Sequence, residues 1–181
     1  YNKMQLNLNR QGRINLLNTY TQNRAQSVFD KMKERGAEIT VCFPHWGKEY
    51  TSEITQRQYS MAENLSNIGY DFIVGSHAHV IQKFEKINDK PVLFSLGNLI
   101  SHLNTFADSN FSEYTLLYNL KLRKENGQIK SKIEFIPCKI VKNYKGIPFT
   151  VLPIVESLGL TEEKVPMLKN TYEDVSKLLE N

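Results

Sequence analysis

The stretch DFIVGSHAHVIQ, residues 71–82, joins a short apolar run to two histidines that are one residue apart. Residues 72–74 are all apolar, which predicts a strand that is buried on both faces. Gly75 ends this run, and His77 and His79 follow where the predicted strand runs out. The stretch therefore leaves two alternatives, a pair of metal ligands at a sheet edge or two surface histidines.

The segments ahead of this stretch alternate between helical and extended patterns. Residues 23–35 carry apolar side chains at helical spacing, and residues 38–44 form a β-branched and aromatic run that predicts a strand. Thr55 and Gln58 have the spacing of a capping box, which predicts a second helix that ends at about residue 68. This order is typical of an α/β sheet with crossover connections.

The segments after the stretch are predicted to be extended. Residues 91–96 form another apolar strand, and extended structure is expected around residues 81–87. Residues 114–123 and 129–136 flank the sequence Glu-Asn-Gly, whose Asn-Gly pair is a strong hairpin signal. This part is therefore expected to be antiparallel.

The 181 residues have room for one domain. Its parts are an α/β part with the histidine motifs (23–105), an antiparallel hairpin with closing strands (112–155) and a helical tail (156–181). Residues 1–22 are rich in Asn and Gln and predict a loop. Cys42 and Cys138 lie far apart without metal-type spacing, and a disulfide between them stays open.

The composition excludes some classes of protein. No run of 18 apolar residues is present, so no membrane span is predicted. The net charge is +4, from 23 Lys and Arg against 19 Asp and Glu, which mildly favours an anionic partner. No motif or aromatic platform supports nucleic acid binding, so no nucleic acid partner is expected.

Three of the four histidines follow predicted strands. His45 follows the strand at 38–44 as His77 and His79 follow theirs, and ligands bind at that edge of an open α/β sheet. Neutral imidazole is a common ligand of zinc, iron and manganese. Convergence at one edge favours ligands over packed or surface histidines, whereas His102 is more typical of an ordinary loop residue.

A two-ion site also needs carboxylates, and the nearby ones are few. The local candidates Glu49, Asp71 and Glu85 include none that is convincingly placed as a bridge. Residues Ser95 and Asn98, on either side of Gly97, fit a ligand-contacting loop and an ordinary turn equally well.

Three sequence blocks together resemble the bacterial CapA family of capsule, or poly-γ-glutamate, synthesis proteins. They are HWGKEY (45–50), GYDFIVGSHAHVIQ (69–82) and KPVLFSLGNLI (90–100), and their order and spacing match over roughly residues 30–105. The hairpin and residues 149–153 are also similar to the family's closing strands. The resemblance implies a calcineurin-like metallophosphoesterase fold, a two-layer β-sandwich flanked by helices.

The same resemblance implies a site with two divalent metal ions, manganese, iron or zinc. His45 and His77 would bind one ion and His79 the other. Glu49, Ser95 and Asn98 would line or brace the cleft, and no residue is assigned as catalytic.

The resemblance is incomplete at the amino end. Residues 1–38 contain neither the family's Gly-Asp motif nor its Asn-Asn-His type motif, so we expect the carboxy-terminal portion of the domain. This portion alone should bind metal weakly and turn over little. It should also associate with the missing half or with a second copy of the chain, because the absent strands would leave apolar surface exposed.

The implied activity is hydrolysis of a phosphoester or polymer-linked substrate at the extracytoplasmic cell envelope, provided that the amino-terminal half is present. Membrane contact would come only through an upstream anchor. The alternative function is non-catalytic binding of an anionic polymer during capsule assembly. A third alternative is an α/β domain whose histidines are structural.

Overall fold

A computed structural model describes residues 20–100 and 110–154 of the chain. The helices and strands are α1 (Gln22–Glu34), β1 (Val41–Cys42), α2 (Gln56–Ile68), β2 (Phe72–Val74), β3 (Ile81–Ile87), β4 (Lys90–Leu96), β5 (Tyr114–Glu125), β6 (Gln128–Tyr144) and β7 (Ile147–Pro153). A 3₁₀ turn at Asn110–Glu113 precedes β5. The predicted mixed α/β class is confirmed.

The strands form two sheets. The first has the order β1-β2-β4-β3, with β1, β2 and β4 parallel and β3 antiparallel to β4. The second is the antiparallel meander β5-β6-β7. The crossover connections and the extended segment at 81–87 predicted from the sequence are therefore present.

The strand predicted at 38–44 is much shorter in the structure. Only Val41 and Cys42 pair in register with β2. Pro44 has no N–H to donate, so the ladder is interrupted there. It resumes as an isolated parallel bridge between His45 and Ser76.

Alternate residues of the central strands face two different cores, as strand geometry requires. Ile73 and Phe94 pack with α1 and α2 residues on one face. Val74 and Leu93 pack with β5 residues such as Leu116 on the other. The four-stranded sheet thus lies between the helices and the second sheet, and its inner strands are covered on both faces.

Local sequence signals set two of the boundaries. The Thr55 side chain accepts from the N–H of Gln58, and the Gln58 side chain accepts from the N–H of Thr55, so the predicted capping box is confirmed. Asn126 and Gly127 both have positive φ, 50° and 80°, and they connect β5 to β6 as the predicted two-residue hairpin turn.

Several predictions from the sequence concern residues that the structure does not describe, or associations that it does not test. His102, the helical tail and all but residues 20–22 of the amino-terminal loop lie outside the described residues. Cys42 and Cys138 are both free thiols. Phe43, beside the edge strand β1, is 72% exposed. The expected association of the chain with a missing half or with a second copy stays a prediction. Within residues 20–100 and 110–154, no helix is long and apolar enough to cross a bilayer.

Candidate functional site

The carboxyl ends of the parallel neighbours β1 and β2 bring the predicted histidines together. The backbone bridge to Ser76 places His45 beside His77, and His45 Nε2 lies 3.0 Å from His77 Nδ1. The ring centroids of this pair are 4.5 Å apart, and those of His77 and His79 are 6.2 Å apart. All three imidazoles thus occupy one part of the sheet edge.

Asn98 determines how His79 is oriented. Asn98 Nδ2 donates to the backbone carbonyls of His79 (3.2 Å) and Ser112 (3.1 Å), which leaves its Oδ1 as an acceptor. His79 Nδ1 lies 2.7 Å from that oxygen and therefore carries the hydrogen. In the neutral ring, Nε2 then holds the lone pair that a metal ion requires.

Glu49 and Tyr50 contact His79 from two further directions. Glu49 Oε1 lies 3.5 Å from His79 Nε2, and the Glu49 side chain is half exposed. The Tyr50 ring stacks on the imidazole with centroids 5.2 Å apart and an interplanar angle of 19°. Sequence reasoning missed Tyr50, whose membership of the 45–50 block was the one available indication.

Left-handed backbone conformations cluster at this edge. The φ angles are 103° at His77, 60° at His79 and 59° at Tyr50, none of which is glycine. Each costs about 1–3 kcal/mol, and such residues concentrate at functional sites. The Tyr50 N–H donates to the carbonyl of the fully buried Ala78 at 2.7 Å, which holds two of the strained segments together. The pattern favours a binding site over two incidental surface histidines.

Two buried amides fix the loop that carries Glu49. Gln82 Nε2 donates to the carbonyls of Thr51 (3.0 Å) and Glu53 (3.1 Å). Gln82 Oε1 accepts from Gln58 Nε2 at 2.9 Å, and both side chains are at most 1% exposed. Sequence reasoning identified Gln58 only as a helix-capping residue and missed Gln82, because the contact between them joins segments far apart in the chain.

The other predicted residues are placed differently. Ser95 is fully buried, and its Oγ accepts from the Gly97 N–H at 3.3 Å, so it supports the turn before Asn98 and does not line an open cleft. Asp71 lies at the amino end of β2, where it accepts from Thr40 and Lys90, away from the histidines. Glu85 lies within β3 and pairs with a lysine there.

The spacing of the His45 and His77 ring nitrogens suits two ligands of one metal ion. Two imidazole nitrogens on one tetrahedral zinc, each at about 2.0–2.1 Å, would be about 3.3 Å apart, close to the separation of His45 Nε2 and His77 Nδ1. Burial, then the neighbouring His77, lowers the pKa of His45 to about 4, and burial also lowers that of His77, so both rings are neutral at pH 7. Among residues 20–100 and 110–154, however, no group of three or more His, Cys, Asp or Glu side chains is gathered tightly enough to hold an ion.

The lowered pKa of His45 predicts a pH-dependent stability. The folded ring accepts a proton only near pH 4, whereas the unfolded ring accepts it near 6.5. In this window the unfolded chain binds more protons, so the free energy of unfolding falls as the pH is lowered from about 6.5 to about 4. Urea unfolding of chelator-treated protein across this range measures the slope. His45→Gln should have a shallower slope, and an unchanged slope would contradict the assignment.

Comparison with known proteins agrees with the motif blocks. The family described as "Bacterial capsule synthesis protein PGA_cap" matches residues 2–103, more than half of the chain. The match includes residues ahead of the three blocks and ends before the hairpin, so the similarity of the hairpin to the family's closing strands stays a prediction.

Two curated relatives match shorter segments. The PGA biosynthesis protein CapA of Bacillus subtilis (strain 168) is 39% identical over 67 residues, which are 37% of this chain and 18% of the relative. The capsule biosynthesis protein CapA of Bacillus anthracis is 37% identical over 68 residues, 38% of this chain and 16% of the relative. The matched segment thus spans less than a fifth of either relative. The family match over residues 2–103 shows that the chain belongs to the PGA_cap family of bacterial capsule synthesis proteins.

Proposed function

We propose that this chain supplies the histidine edge of a metal-dependent, phosphoester-hydrolysing site that works in bacterial capsule synthesis at the cell envelope. The observation that carries the proposal is the facing pair of ring nitrogens, His45 Nε2 and His77 Nδ1, 3.0 Å apart at the sheet edge. Family membership supports the capsule context, and the neutral state of both rings supports a ligand role.

Each histidine of the site would have a specific role in metal binding. His45 and His77 would hold one divalent ion, manganese, iron or zinc, and His79 would contribute its Nε2 to a second. Asn98 Oδ1 lies 2.7 Å from His79 Nδ1, on the other side of the ring, and Glu49 Oε1 lies 3.5 Å from His79 Nε2. Bound divalent ions would lower the pKa of water and neutralise charge on a phosphoryl group.

The test combines metal content with hydrolysis. We expect the chain to bind Mn²⁺, Fe²⁺ or Zn²⁺ and to hydrolyse p-nitrophenyl phosphate slowly, and His77→Ala and His79→Ala to lose most of both. Lys86→Ala, on the exposed side of β3, is the control and should behave like wild type. Equal metal content and equal rates in the histidine variants and wild type would overturn the proposal.

A second function is favoured by the incomplete donor set in the described residues. We propose as the alternative that the histidine cleft binds an anionic capsule polymer or assembles other components without hydrolysing them. In that case binding of the polymer would fall steeply with salt. Binding without any metal-dependent hydrolysis would select this function over the first.

A further inference from the structure

The turn that joins β5 to β6 contains the one asparagine in the sequence that is followed by glycine. Asn126 and Gly127 have φ angles of 50° and 80°, and both residues are exposed. A Cβ at Gly127 would meet nothing within 4 Å, so no neighbouring group crowds the turn there. Because glycine has no side chain, its own atoms do not shield its peptide nitrogen from the Asn126 side chain.

The Asn126 side chain is not held by the fold. Among the contacts of residues 20–100 and 110–154, no hydrogen bond involves its amide. The adjacent Glu125 makes the ion pairs next to this turn, at 2.7 Å to Arg123 Nε and 2.9 Å to Lys130 Nζ. The Asn126 amide can therefore rotate toward the peptide nitrogen that follows it.

The turn between β3 and β4 has a similar backbone conformation but differs in both of these respects. Asn88 and Asp89 have φ angles of 49° and 61°. Asn88 Nδ2 donates to Asn67 Oδ1 at 2.9 Å, and Asn67 belongs to α2, so this amide is held. The residue after Asn88 has a side chain, which hinders approach to its peptide nitrogen. Asn88 is thus an internal reference for Asn126.

The outer end of the β5–β6 hairpin can open without unfolding of the core. Residues 121–124 and 126–128 are all exposed, and Glu125 pairs with Gln128 at the end of the ladder. Segments with few buried contacts open locally at a small fraction of the global free energy of unfolding. The chain around Asn126 can therefore leave its left-handed conformation and bring the side-chain carbonyl against the Gly127 nitrogen.

We propose that Asn126 is a site of spontaneous deamidation, with water as the co-reactant. The peptide nitrogen of Gly127, after losing its proton, attacks the side-chain carbon Cγ of Asn126 and forms a C–N bond. The Cγ–Nδ2 bond breaks, and the amide leaves with a proton as ammonia. Water then opens the cyclic imide at either of its carbonyl carbons, which gives aspartate or isoaspartate. One water is consumed for each ammonia released, and nothing is oxidised or reduced.

The two products change the hairpin differently. Aspartate keeps the backbone and suits the same two-residue turn, but it adds a negative charge. Isoaspartate inserts a side-chain carbon into the main chain, and the length of the loop fixes the register of a hairpin. The isoaspartate form should therefore lose the pairing of Glu125 with Gln128. The turn contributes no residue to the histidine site, so this proposal is independent of the proposed function.

Peptide mapping by mass spectrometry, after incubation of the folded chain at mildly alkaline pH, tests the proposal. We expect loss of the side-chain amide at Asn126, with both aspartate and isoaspartate as products, and no loss at Asn88. The rate should rise with pH, because the attacking nitrogen must first lose its proton. Asn126→Gly is the control, since Gly-Gly also suits a two-residue hairpin turn, and the peptide with this change should stay unmodified.

A synthetic peptide of residues 121–132, incubated beside the chain, gives the rate without the fold. If this peptide is deamidated and Asn126 of the folded chain is not, the turn protects its asparagine and the proposal is overturned. Equal conversion of Asn88 and Asn126 also overturns it, because neither the following residue nor the hydrogen bond to Asn67 would then select the site. Conversion confined to Asn126, while circular dichroism shows a folded chain, supports the proposal.

Discussion

Replacement of Gly75 by alanine is expected to lower the free energy of unfolding by about 3–5 kcal/mol, at the upper end for a single substitution. A Cβ at this position would lie 2.0 Å from the Phe94 carbonyl oxygen and 2.5 Å from Trp46 Nε1. Neither group can move easily, because Trp46 Nε1 donates to the Phe94 carbonyl oxygen at 2.9 Å and the side chains of Trp46 and Phe94 are both buried. The backbone of β4 or the indole must therefore move.

Urea unfolding measures this effect, with Gly146→Ala as the matched control. Gly146 lies in the turn between β6 and β7, at φ 80°, and a Cβ there would meet nothing within 4 Å. Its substitution should cost only the left-handed strain, about 1–2 kcal/mol. If Gly75→Ala costs no more than this control, the close approach between β2 and β4 is not a determinant of the fold.

Replacement of Asn98 by leucine is expected to cost at least about 3 kcal/mol and to release the His79 ring. The change removes the partner of two backbone carbonyls and of one imidazole N–H in a site that is 8% exposed. Each polar group left buried without a partner costs about 1–3 kcal/mol. Nitrogen NMR of the imidazole should change from one tautomer, with the hydrogen on Nδ1, to a mixture.

Asn119→Leu is the control for this substitution. Asn119 is half-buried on β5 and donates only one long hydrogen bond, 3.4 Å to Glu134, among the contacts described for it. Its loss should cost less than about 1 kcal/mol and leave the His79 spectrum unchanged. A single unaltered His79 tautomer in Asn98→Leu would refute the orienting role.

The features predicted correctly from the sequence rest on local signals or on simple strand geometry. Thr55 and Gln58 are three residues apart, and the Asn126-Gly127 turn needs only its own two backbone conformations. The convergence of His45 with His77 follows from two parallel neighbours whose carboxyl ends share an edge. None of these requires knowledge of distant side chains.

The features that were missed depend on contacts between distant segments. Tyr50 and His79, whose rings stack, both have left-handed backbone. Non-glycine residues rarely adopt this conformation, so the sequence did not indicate it. Gln82 reaches back about thirty residues to the loop after Glu49. Asp71 was a carboxylate candidate by proximity in sequence, but it lies at the opposite end of β2 from the histidines.

Trp46 gives this protein an optical property of its own. It is the single tryptophan of the chain, it is 2% exposed, and it lies next to His45 in sequence with its indole N–H bonded to the Phe94 carbonyl. All intrinsic indole emission therefore originates beside the histidine edge and none from the hairpin. A red shift in that emission reports water reaching this edge, which separates its opening from events elsewhere in the molecule without any added label.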